Sequence, residues 1–253
     1  MCSNNQYNIL AEDYEELNPK AEIYKQQSFF KEIIIKNKIK TCLDCSCGAG
    51  WHLKMITEMG VTCFGSDLSV DMLELAKKNL KSNSIPLKIG NFLTLDKLWS
   101  NKFDLVICMT TSFPHLKNIS EMKRATKSIS NCLSPGGILL IDNGFSDSFF
   151  DHKPKFIPAR EDSNSGFYFF LEYLASKYVR FNILRVSYSM KKISNKFTSF
   201  LYYQMRKSTF ERVFKKSDFR KVTFFGDFEF SKYSEKLSKR LICLAKKVTR
   251  PDV

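Results

Sequence analysis

The apolar positions change character at Asp142. Before it, short apolar runs alternate with stretches of helical spacing. Ile39–Asp44, Val61–Ser66, Pro86–Ile89, Phe103–Met109 and Ile138–Asp142 read as strands, the fourth apolar enough to lie inside a parallel sheet. Residues from about Glu12 to Ile35, Trp51–Glu58 and Glu121–Cys132 read as helices. Another helix follows Ser69, whose hydroxyl can cap a free backbone N–H. It carries Met72, Leu73, Ala76 and Leu80 near one face. Ser134-Pro135-Gly136-Gly137 stops the last of these helices and turns the chain into the fifth strand. This alternation predicts an α/β fold, a doubly wound sheet with helices on both faces.

After Asp142 the pattern is long, aromatic and β-branched. Gly166–Ala175, Tyr178–Met190 and Phe197–Arg206 read as an antiparallel insertion. Thr209–Phe214 reads as a helix with Ser208 as its cap. Lys221–Phe230 and Leu241–Lys247 read as a hairpin-like pair at one sheet edge. No repeat or low-complexity linker divides the chain. One domain over 1–253 is expected: a helical segment 1–38, a core 39–142, a lid 143–207, and a final helix and strand pair 208–253.

Composition narrows the class. The 253 residues are 43% hydrophobic, with 23 Phe, enough for a full core. No apolar run is long enough to span a membrane. Met1 to Leu10 is polar and lacks the plan of a signal peptide. Several of the eight cysteines sit in apolar runs, as in Ile107-Cys108-Met109, which suits reduced core residues and a cytoplasmic location. Cys42, Cys45 and Cys47 raise a metal or iron–sulfur reading. They straddle a strand and a tight turn without a distant partner pair, so no metal is expected. The net charge is +14, and residues 151–253 hold 23 Lys/Arg against 10 Asp/Glu. That half could dock RNA or another polyanion, or simply be a solvated basic face.

The chemistry centres on the turn Cys45-Ser46-Cys47-Gly48-Ala49-Gly50 after the first strand. Gly48 and Gly50 permit a sharp turn and close ligand approach. A dinucleotide fingerprint would need a third glycine where Leu53 stands, so a pyrophosphate is not the expected guest. Asp67 closes the second strand and can accept from a ribose diol, or cap its own loop. Asn91 can bond an adenine edge and Phe92 can cover the ring. Met109 ends the fourth strand, where ligands of open α/β sheets bind, and His115 follows just beyond.

Together these residues resemble a class I S-adenosylmethionine-dependent methyltransferase, nearest to the glycine and glycine/sarcosine N-methyltransferases. The resemblance runs through Leu43-Asp44-Cys45-Ser46-Cys47-Gly48-Ala49-Gly50, Ser66-Asp67-Leu68-Ser69 and Asn91-Phe92-Leu93-Thr94. It continues through Phe103 to Cys108, Ser112-Phe113-Pro114-His115-Leu116, Pro135-Gly136-Gly137, Tyr202-Tyr203 and Gly226-Asp227-Phe228. It implies a Rossmann-like seven-stranded sheet with the antiparallel insertion over the active site, and S-adenosyl-L-methionine as cofactor. By the resemblance Ser46 and Gly48 line the methionine end, Asp67 holds the ribose, and Asn91 and Phe92 bind adenine. Asp44, Gly50, Leu68, Met72 and Met109 join the cofactor set, and Tyr14 closes over it. His115 flanks the methyl-transfer region. His115 and Tyr203 are the candidate catalytic residues, and Thr111, Phe145, Tyr202 and Arg206 the candidate substrate contacts. The expected reaction is N-methylation of a small amino acid or amine; the alternatives are an RNA or protein methyltransferase docking through the basic half, and a cofactor-binding protein without transfer activity.

Two departures concern the substrate side. The family places an arginine for the glycine carboxylate just after the fifth strand, where Asn143-Gly144 stands, and an asparagine where Thr111 stands. Arg160, Arg185 and Arg206 are the candidate replacements for that clamp.

Overall fold

The computed structural model describes residues 13–81, 84–100, 102–162, 164–174, 177–188 and 193–248. Met1–Leu10, Glu12, Ala175 and Met190, at the ends of expected segments, lie outside them.

The described part of the N-terminal stretch forms three helices, α1 (Tyr14–Leu17), α2 (Lys20–Tyr24) and α3 (Gln27–Asn37). Pro19 caps α2 in an extended conformation and so interrupts the single helix the pattern predicts. The core then runs β1 (Thr41–Asp44), α4 (Trp51–Thr57), β2 (Thr62–Asp67), α5 (Val70–Leu80), β3 (Leu87–Ile89), α6 (Leu95–Leu98), β4 (Phe103–Cys108), a 3-10 turn (Phe113–His115), α7 (Ile119–Cys132) and β5 (Leu133–Asn143). Ser69 caps α5 as expected, its Oγ accepting from the Met72 N–H at 3.2 Å.

The insertion holds α8 (Asp147–His152) and four strands, β6 (Phe156–Glu161), β7 (Ser165–Leu174), β8 (Tyr178–Tyr188) and β9 (Ile193–Tyr203), where the pattern predicts three. α9 (Lys207–Phe214), β10 (Phe219–Phe225) and β11 (Leu241–Lys247) complete the described chain. Ser208 does not cap α9. The helix starts two residues earlier, with Arg206 at the cap, and the Lys207 N–H is taken by Asp147 Oδ2 at 3.1 Å.

The main sheet has seven strands in the order β10-β11-β5-β4-β1-β2-β3, with β11 antiparallel to both neighbours and the rest of the core parallel. Alternate strand residues feed two apolar layers. Leu43, Val106, Leu139 and Ile141 pack with α7 and α9; Cys42, Leu105, Ile107 and Leu140 pack with α3 and α4. The seven described cysteines are free and buried within or beside these layers. The second sheet, β6-β7-β8-β9, is antiparallel throughout. No described helix is long and apolar enough to cross a membrane.

Candidate active site

A cavity of about 420 Å³ opens at the C-terminal ends of the parallel strands, beneath the aromatic face of the second sheet. That end is where the last backbone N–H groups and turn residues of a parallel sheet face a ligand.

β1 delivers Ser46 and Gly48 to the cavity. Gly48 sits at φ +50° and Gly50 at φ +83°, left-handed values that glycine adopts without a Cβ clash. A Cβ at Gly48 would lie 3.3 Å from the Tyr14 hydroxyl, so the turn and α1 close on each other. β2 delivers Asp67. Its carboxylate accepts the Gly48 N–H at 2.9 Å and the Ser69 N–H at 3.0 Å, which ties the two turns together; each oxygen keeps a lone pair for a ligand. Burial pushes the Asp67 carboxyl upward, against the pull of those backbone bonds. Leu68 and Met72 of the next turn also line the cavity.

β3 leads to Asn91 and Phe92. Asn91 Oδ1 accepts from the Leu93 N–H at 2.8 Å, which leaves its amide N–H groups as the donors a base edge would meet. β4 leads through Met109 to Thr110 and Thr111, at φ 56° and 60°. Two successive β-branched residues in left-handed geometry carry strain of about 1–3 kcal/mol each, held here at the floor of the cavity. His115 lines the same wall. Its ring lies 4.5 Å from Tyr202 and 5.8 Å from Phe200, and burial pushes its pKa down to about 3, so the imidazole is neutral at ordinary pH.

The roof comes from β7, β8 and β9 through Phe169, Phe181, Ile183, Phe200 and Tyr202, with Phe145 beside them. Phe145 and Phe181 stand 4.8 Å apart, and Phe181 and Tyr202 4.9 Å. Tyr14 and Leu17 close the remaining side. α1 is fixed to both layers. Glu15 accepts from Trp51 Nε1 and Asn79 Nδ2 of the core. Asp13 pairs with Arg185 and Lys196 of the roof, and Glu16 with Arg185.

The structure therefore gathers Tyr14, Ser46, Gly48, Asp67, Leu68, Met72, Asn91, Phe92, Thr111, His115, Phe145 and Tyr202 around one cavity. It does not bring five others there. Asp44 is buried beneath the turn, where Oδ1 accepts the Ser46 N–H at 3.1 Å and Oδ2 has no partner among the described residues; burial raises its pKa to about 7. Gly50 faces Ala76 of α5. Met109 is buried in the apolar layer under the sheet. Tyr203 points away from the cavity, because neighbours on a strand face opposite sides: Tyr202 goes in, and Tyr203 packs on Tyr178 in the core. Arg206 pairs with Asp151 at 2.8 Å and with Asp147. Of the other clamp candidates, Arg185 is spent on Asp13 and Glu16, and Arg160 is exposed on β6, outside the lining.

Sequence reasoning missed Thr110, Leu17, Phe181, Ile183, Phe200 and Arg240 among the lining residues. The period-2 pairs Phe181/Ile183 and Phe200/Tyr202 could have marked the inward face. Arg240 carries no local signal, since its place depends on the β11–β5 register.

The lining fits S-adenosylmethionine. Asp67 offers acceptors to a diol, and the glycine turn admits a close approach. No described Lys or Arg stands beside Gly48 to neutralise a phosphate, which Asp67 would repel. Among the described residues no group of three or more His, Cys, Asp or Glu could hold a metal ion.

A family described as a methyltransferase domain matches residues 43–141. The glycine/sarcosine N-methyltransferase of Halorhodospira halochloris is 26% identical over 208 residues, 79% of this chain and 73% of its own. Mouse glycine N-methyltransferase is 36% identical over 114 residues, which span 40% of this chain and 39% of the mouse enzyme. An S-adenosylmethionine-dependent methyltransferase from Clostridium acetobutylicum superposes with a TM-score of 0.81 at 20% identity, covering 96% of this chain and 99% of that one.

Proposed function

We propose that this chain, a class I S-adenosylmethionine-dependent methyltransferase, transfers its methyl group to the nitrogen of a small amine or amino acid. The observation that carries this reading is the aromatic roof that stands over the cavity at the strand ends. The roof narrows the space left for an acceptor, which favours a small molecule over a loop of RNA or protein. The two N-methyltransferases to which the chain is similar support nitrogen as the receiving atom.

Bound S-adenosylmethionine supplies an already activated methyl group, so the protein mainly supplies position and electrostatics. Asp67 holds the ribose hydroxyls while it fixes the Gly48 turn. Asn91 and Phe92 hold the adenine edge and face, Ser46 and Gly48 the methionine end, and Tyr14 covers it. Thr111, His115 and Tyr202 face the space where the acceptor nitrogen must sit. His115 is a poor proton acceptor, because burial disfavours its imidazolium. Its role is to orient the nucleophile by hydrogen bonding, and the amine enters unprotonated. The aromatic roof excludes water and favours that neutral form.

The test is labelled S-adenosylmethionine offered to pooled amino acids and amines in parallel with total RNA. Label is expected in the small-molecule pool. Label in RNA alone overturns the reading and transfers the role of docking to the basic half.

A further inference from the structure

Arg240 is the one cationic side chain among the described residues that line the cavity, since His115 is neutral. It immediately precedes β11, whose Leu241 pairs with Asn143 of β5, so Arg240 stands across the ladder from Gly144. Position 144 has no room for a side chain of its own: a Cβ there would lie 2.5 Å from Thr111 Oγ1. Arg240 reaches this place instead, with Nη1 3.9 Å from that Cβ position.

Its orientation is fixed from below. Nη1 donates to both oxygens of Asp142, at 2.7 and 2.6 Å, and the guanidinium lies 5.1 Å over the Phe228 ring. The Asp142 side chain is 2% exposed and that of Arg240 36%. Among the described residues Nε and Nη2 have no hydrogen bond, and this edge is the planar fork that matches a carboxylate. Phe145 and Phe181 form the adjoining apolar wall.

We propose that Arg240 is a specificity-determining residue that binds an anionic group of the acceptor. The substrate class is then α-amino acids with an apolar side chain, the carboxylate on Arg240 and the side chain on Phe145 and Phe181. This rests on the N-methyltransfer reading above. It differs from that reading in excluding amines without an acid.

The test compares phenylalanine and leucine with phenethylamine and isopentylamine, their counterparts without the carboxylate, using the full chain and labelled S-adenosylmethionine. The acids are expected to exceed the amines in kcat/KM by about 10–100-fold, the scale for a hydrogen bond to a charged group. The variant Arg240→Met with Asp142→Asn avoids leaving Asp142 buried and unpaired. It should raise KM for the acids by about the same factor, leave the amines unchanged, and keep S-adenosylhomocysteine affinity within about threefold. Arg240→Lys keeps the charge but loses the fork; it should lose part of the preference even if the double variant does not fold.

Equal use of amines and acids by the wild type overturns the assignment of Arg240 and leaves N-methyltransfer standing. So does turnover confined to amines of another kind. A parallel loss of S-adenosylhomocysteine affinity in the double variant also overturns it, because the guanidinium then serves the carboxylate of the cofactor. Label in no amine at all, with the ligand still bound, overturns the N-methyltransfer reading itself.

Discussion

The floor and the roof of the cavity are built on opposite principles. The floor is made of turns at strand ends, and its working groups are the Gly48 turn at positive φ and the Asp67 carboxylate held by hydrogen bonds, with Asp44 buried beneath them. The roof is made of rings on one face of an antiparallel sheet, and its working groups are apolar surfaces touching each other. The floor holds polar groups in place at a cost in stability, as at Thr110, Thr111 and Asp44. The roof gains stability from burial and sets the size of what can enter. Ligand affinity should therefore be lost from the floor and folding stability from the roof.

The largest effect expected is on the roof. Phe181 is 2% exposed and packs on Phe145, Phe169 and Tyr202. Phe181→Ala should cost about 3–5 kcal/mol of folding stability, as for other buried Phe truncations. S-adenosylhomocysteine affinity measured by calorimetry well below the melting point should change by less than about threefold, because the ring packs on other rings of the roof. A loss of affinity as large as the loss of stability would show that the two layers act as one.

The same contrast explains what the sequence could reveal. The floor was legible because its chemistry is local. Gly48, Asp67 and Asn91 lie within a few residues of a strand end, and the Ser69 cap needs only its own helix. The roof depends on pairing partners distant in the chain. β6 was not anticipated because Pro158 interrupts its pattern, which an edge strand tolerates. Tyr202 and Tyr203 are adjacent and equally aromatic, and only the β8–β9 register decides that Tyr202 faces the cavity. Arg240 likewise reaches the site by register, not by motif. Asp44 was legible as part of the turn, but not its burial beneath it.

Asp44 supplies the next test, on the floor. Its pKa is raised to about 7 in the folded chain by burial, from an ordinary value near 4 when unfolded. Below about pH 4 the carboxyl is protonated in both states and contributes nothing. As pH rises from about 4 to 7, the unfolded chain loses this proton while the folded chain keeps it, so stability falls. Above about pH 7 the cost is fully present, on the order of 4 kcal/mol at most. Asp44→Asn should match the wild type at low pH and melt higher at pH 8. Parallel melting curves across pH 4–8 would mean that Asp44 finds a donor for Oδ2, and that the floor carries no such cost.

Asp67 gives the smallest expected effect and the sharpest division between the layers. Its carboxylate serves two purposes, since it joins the Gly48 and Ser69 turns and is the proposed ribose acceptor. Asp67→Ala removes both, so a loss of affinity could come from a disordered turn alone. Asp67→Asn retains one acceptor oxygen and similar volume, but places an amide donor where a second N–H or hydroxyl needs an acceptor. Loss of a hydrogen bond to a charged group costs about 1–3 kcal/mol, or roughly 10–100-fold in S-adenosylhomocysteine affinity. Both variants should show that loss. Removing the diol from the ligand tells the two purposes apart: 2′,3′-dideoxy-S-adenosylhomocysteine, which lacks both ribose hydroxyls, should bind the wild type weakly and lose little further affinity in Asp67→Asn. If the dideoxy ligand and its parent lose affinity equally, Asp67 acts on the turn and not on the ribose.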